Sequence, residues 1–140
     1  MPVRASTLAA VLLVAAVCAV PAHAQRTVRV SNAWIQPPGA NAAEAVAFAV
    51  VDNGTMYDVY VVGVATEVAG AAELRQAVRG GTPAPLKEAM VPAYGQLEMS
   101  AEGVQIRLAE LKRALKSGET ITLSLTLDNG QTLTMEAAVK

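Results

Sequence analysis

Cysteine, histidine and aromatic residues are scarce in this chain. It holds one Cys and one His in 140 residues, and a single Trp and a single Phe. Cys18 and His23 both fall within the first 24 residues. That stretch reads as an export signal. "MPVRAST" carries one positive charge at Arg4, "LAAVLLVAAVCAV" is an apolar run short for a membrane span, and "AHA" before Gln25 is a small-x-small cleavage site. No second apolar stretch follows, so no stable membrane anchor is expected. A lipid-bearing Cys18 would want a small residue where "AAVC" has Val17. Cleavage after Ala24 makes residues 1–24 the signal peptide and leaves 25–140 as one domain; 140 − 24 gives 116 residues, enough to bury a core.

The domain then has neither thiol nor imidazole. Disulfides, Cys nucleophiles, His-dependent acid–base catalysis, most zinc sites and blue-copper sites are excluded by inventory. No enzyme is expected. No nucleophile–base pair can be built, the carboxylates lack the spacing of a calcium loop or a glycosidase pair, and there is no Gly-rich phosphate loop. With Arg4 removed, ten basic residues face twelve acidic ones, a net charge of −2. No basic stripe is present, so no nucleic acid partner is expected.

What is present is β pattern. "TVRVSNAWI" and "EAVAFAVVDNG" read as strands separated by the turn-rich "QPPGAN". "MYDVYVVGVATE" is aromatic and β-branched, as a pleated surface favours. "AAELRQAV" fits strand or helix by period, and "GGTPAPLKEAMVPAYG" is loop with short edge pieces, because Pro and Gly break it repeatedly. In "ETITLSLTLDNGQTLTMEAAV", Ile121, Leu123, Leu125 and Leu127 alternate with Thr122, Ser124 and Thr126, and the two runs around Asp128-Asn129-Gly130 predict a hairpin. "LAELKRALKSGE" before it fits a helical turn or a long loop. About seven strands and frequent turns predict an all-β, immunoglobulin-like or cupredoxin-like antiparallel β-sandwich or Greek-key barrel. Trp34 is expected to anchor the core. Asn53-Gly54 is read as turn chemistry.

These segments, in this order, resemble the periplasmic copper chaperone family PCu(A)C. The resemblance is carried by "NAWIQPPGANAAEAVAFAVVDNGT", by "VYVVGVATEVAGAAELRQ", where the family ends in Glu-Leu-His, and by "VPAYGQLEMSAEGVQIRLAELKRALKSGETITLSLTLDNG", where it has a His-x-Met-Leu strand. It implies a cupredoxin-like β-sandwich, a periplasmic location, and Cu(I) held by two His and two Met for delivery toward cytochrome oxidase assembly. Soft thioethers and imidazoles suit that cargo.

Carried over residue by residue, the family ligands are replaced here. The upstream His falls at Arg75, the first Met within Pro83 to Leu86, and the closing His-x-Met at Gln105 and Arg107. A carboxamide is a poor Cu(I) donor, and a guanidinium has no lone pair to give. The reading is therefore a family member with a degenerate metal site, acting as an accessory or partner-binding module near copper handling. No cofactor is expected from the ligand inventory, and Cu(I) enters only through the resemblance. A periplasmic protein partner is expected, without identity. The alternative is a true Cu(I) carrier using the thioethers of Met90 and Met99, which otherwise read as apolar filler. Arg75, Arg79 and Arg107 are also candidates for a cationic patch, against the plainer reading that each pairs with a Glu such as Glu73, Glu88 or Glu98.

Overall fold

The computed structural model describes residues 27–38 and 43–140; the expected signal peptide and its cleavage site lie outside them. Ten strands form, β1 (Val28–Gln36), β2 (Ala45–Asn53), β3 (Val59–Thr66), β4 (Ala69–Gln76), β5 (Ala84–Leu86), β6 (Ala89–Val91), β7 (Gln96–Glu98), β8 (Val104–Leu111), β9 (Thr120–Leu127) and β10 (Thr132–Val139). Among the described residues there is no helix, so "AAELRQAV" is settled as strand β4, and "LKRALKSGE" as the end of β8 followed by turns. The strands run in the order β5-β4-β8-β2-β1-β10-β9-β3-β6, with β7 also on β2. Pairing is antiparallel except between β1 and β10. This is the all-β, nearly closed, barrel-like sheet that the alternating pattern predicts.

The core is built from the inward positions of that alternation. Ile35, Val51, Val61, Ile106, Leu108, Leu123, Leu125, Leu127 and Val139 are essentially sealed from solvent. Met135 is in the core, as its place in the pattern suggests, and Met99 joins it. The expectation for Trp34 holds in part: it packs against the core cluster, but it is only half-buried. The register of β1 on β2 breaks between Ser31 and Trp34, and Asn32 in the break takes φ 51°. The extra residue resets the alternation, so Val28 faces the core before the break and Ile35 after it. Trp34 turns to the outer face, half-buried, where its ring packs on Phe48 with centroids 4.7 Å apart.

The β9–β10 hairpin forms around Asp128-Asn129-Gly130, as the pattern predicts. Gly130 donates to Leu127 O at 3.0 Å, Leu127 N to Gln131 O at 2.8 Å, and only Gly130 takes positive φ, 85°. This is a three-residue loop ending in a left-handed glycine. Gly130→Ala forces a side chain into that conformation and is expected to cost about 1 kcal/mol, read as a lowered urea midpoint with unchanged slope. Just before this hairpin, Arg113 donates to Glu119 at 2.7 Å and holds its carboxyl below the usual range.

Candidate functional site

Strands β4 and β8 lie side by side, and their alternation sends Leu74 and Ile106 into the core as a direct cross-strand pair. The intervening residues therefore share the opposite face: Glu73 and Arg75 on β4, Gln105 and Arg107 on β8. Arg75 stands directly opposite Gln105, and Glu73 directly opposite Arg107. Strand β5 adds Pro85 opposite Arg75 on the other side. The positions at which the resemblance places the metal ligands thus converge on one surface: Arg75, Gln105 and Arg107, with Pro83 to Leu86 beside them.

An ion-pair network occupies that surface. Glu73 Oε1 accepts from Arg75 Nε at 2.7 Å and from Arg107 Nη1 at 2.9 Å, and Arg75 Nη2 lies 2.6 Å from the same oxygen. Arg107 also grips Glu44 with both ends of its fork, Nε to Oε2 at 2.9 Å and Nη2 to Oε1. Arg75 Nη1 reaches Pro83 O at 3.3 Å. Two guanidinium groups are matched by two carboxylates. Of the two readings given to Arg75, Arg79 and Arg107, the pairing with Glu rather than the cationic patch describes the first and last, and Arg79 is in the exposed turn after β4, lining a hollow with Ala101 and Glu102.

The partners are Glu73, one of those anticipated, and Glu44, which the sequence reading missed. Glu44 precedes β2 by one residue. The register Val46↔Arg107 puts it diagonally across from Arg107 on the same face, within reach of long side chains. The opposite charges were visible in the sequence; the β2–β8 pairing that joins them was not. Gln105 is buried between these neighbours, at 8% exposure.

As a Cu(I) site this set does not fit. It offers guanidinium nitrogens without lone pairs and hard carboxylate and amide oxygens, with no thioether or imidazole. Among the described residues no group of three or more His, Cys, Asp or Glu is placed to hold a metal. Nor do Met90 and Met99 share an environment. Met90 is exposed on the short strand β6, whereas Met99 is buried, with its N donating to Ala49 O at 3.0 Å. Met99 borders an outer cleft of about 440 Å³ whose wall is Trp34 and Phe48.

The network makes its own prediction. Glu73→Gln leaves Arg75 and Arg107 as like-charged neighbours across β4–β8. A loss of about 1 kcal/mol is expected at low salt, shrinking as salt screens the pair. An equal loss at low and high salt would assign the effect to packing.

Solved structures share this architecture. The copper-bound PCuAC domain from PmoF2 superposes with a TM-score of 0.72 at 17% identity, covering 81% of this chain and 92% of that one. CuI-DR1885 from Deinococcus radiodurans gives 0.67 at 31% identity, covering 85% and 83%. In sequence, the chain is 32% identical over 149 residues to "Putative lipoprotein Lxx21020" of Leifsonia xyli subsp. xyli (strain CTCB07), covering 98% of this chain and 89% of that protein. Fold and sequence together define a PCuAC-like domain of the copper-chaperone class. Within it, residues 28–139 match the family described as "Putative lipoprotein LpqE-like", and the chain belongs to the LpqE-like family.

Proposed function

We propose that this protein is an exported PCuAC-like family member whose usual metal face is closed by ion pairs, and that it works as an accessory, partner-binding module near copper handling rather than as a Cu(I) carrier. The observation that carries the reading is the Glu44–Arg107–Glu73–Arg75 network, lying where the resemblance puts the copper ligands. Cu(I) binding at that face would require soft donors that these four residues lack. Non-enzymatic action accords with the chaperone class. The lipoprotein names of the relatives support export.

Two measurements test this. The protein recovered after export from copper-supplied cells is expected to hold well under one copper per chain by elemental analysis; about one per chain would overturn the reading. Intact mass distinguishes a chain beginning at Gln25, as proposed here for the domain 25–140, from one beginning at a lipid-bearing Cys18.

A further inference from the structure

The described surface has a second organised feature, built from residues other than those of the β4–β8 face. Loop 54–58 after β2 is tied by one buried side chain to the end of β6, and by further hydrogen bonds to loop 92–95 between β6 and β7. Asn53 is 2% exposed. Its Nδ2 donates to Tyr57 O at 2.7 Å and to Val91 O at 3.1 Å, and its Oδ1 accepts from Thr55 N at 3.0 Å and Thr55 Oγ1 at 2.6 Å. Tyr94 N donates to Thr55 O at 3.1 Å, and Ala93 N to Asp58 Oδ1 at 2.9 Å. Backbone groups are thus tied down on both loops, although the loops are at the surface.

What this frame presents is apolar. Met56, Tyr57 and Tyr94 are 58%, 71% and 62% exposed, and Met90 on the adjoining strand β6 is also exposed. Tyr94 is held at φ 54°, a left-handed conformation that an aromatic residue adopts at a cost of about 1–2 kcal/mol. Met56 and Tyr57 are thus largely exposed on a loop whose backbone is fixed. Pre-organised Tyr and Met side chains are the contact groups of protein interfaces, because few torsions are lost when they are covered.

Charge identifies the occupant. No Lys or Arg occurs from Asp52 to Leu74, nor from Glu88 to Ile106. Arg29 stands opposite Asp52 across β1–β2 and Lys87 precedes β6 beside Glu88; at the loops themselves the charged groups are Asp58, bonded to Ala93 N, and Asp128, bonded to Tyr60 N, an acidic rim. Both are exposed, and Asp128 Oδ1 accepts from Tyr60 N at 3.1 Å. We infer that the Met56–Tyr57–Tyr94 platform is a docking surface for a basic segment of a partner protein, one with Lys or Arg flanking an apolar or aromatic residue. An anionic lipid surface would be repelled by the same rim.

The test is titration of the isotope-labelled exported chain with a peptide of alternating Arg and Trp, followed by NMR. A peptide with Glu in place of Arg and anionic phosphatidylglycerol vesicles are run in parallel. Shift changes confined to 54–60 and 90–96 are expected with the Arg peptide only. Tyr57→Ala should weaken binding about tenfold. Asp58→Asn with Asp128→Asn, which keep the acceptor oxygens, should weaken it severalfold and flatten its salt dependence. Shifts spread over the surface, unchanged affinity in Tyr57→Ala, or preference for the Glu peptide or the vesicles would overturn the inference. None of these outcomes depends on copper, so failure here and failure of the metal reading remain distinguishable.

Discussion

Replacing Arg75 by His, Gln105 by His and Arg107 by Met is expected to raise Cu(I) affinity by at least about a hundredfold. The expectation rests on register. Positions 75 and 105 are directly opposed across β4–β8, and 107 follows two residues on, on the same face. Two imidazoles and a thioether placed there supply the soft donor set that the native side chains lack. Glu44 and Glu73 would remain as unpaired carboxylates and would favour a cation instead of matching guanidinium groups. An anaerobic competition against a chromophoric Cu(I) chelator reads the gain directly, with the native chain as reference. No gain in a variant that keeps its β signature by circular dichroism would mean that these positions do not form the metal face.

Asn53→Ala is expected to cost about 3 kcal/mol. Truncation strips hydrogen bonds from Tyr57 O, Val91 O and Thr55 N around a side chain buried at 2% exposure. Loop 54–58 and the end of β6, which it joins, would loosen together. Urea unfolding should show a lowered midpoint, and hydrogen exchange should speed up over 54–58 and 91–95 before it does in β9 and β10. A loss under about 1 kcal/mol would show that backbone contacts such as Tyr94 N to Thr55 O hold the loops unaided.

These two positions mark how far the sequence could be read. Strands with strict alternation were legible because the pattern itself names the buried face, as Leu123, Leu125 and Leu127 do in β9. The resemblance assigned Arg75, Gln105 and Arg107 to one site, and the β4–β8 register brings the three onto one face. Its chemistry was only half legible. Neutralisation of the arginines depends on Glu44, which approaches Arg107 across 63 residues of chain, and local pattern does not encode such a pairing. Asn53 was legible in one half: its Oδ1 accepts from Thr55 N two residues on, the turn chemistry expected of it, whereas its inward reach was not. Asn before Gly signals a turn, but here the carboxamide is drawn inward to Val91, 38 residues away. Trp34 was placed only in part: it packs against the core, but the register break at Asn32 flips the face of every later residue in β1 and leaves it half-buried, and a bulge leaves little trace in composition.

On the reading proposed here, the face where the resemblance places copper is closed by its own ion pairs. Anaerobic titration of the exported native chain with Cu(I), in competition with a chelator of known affinity, is the decisive test. The chelator is expected to keep its copper at every protein concentration. Withdrawal of one equivalent of Cu(I) by the native chain would contradict the claim.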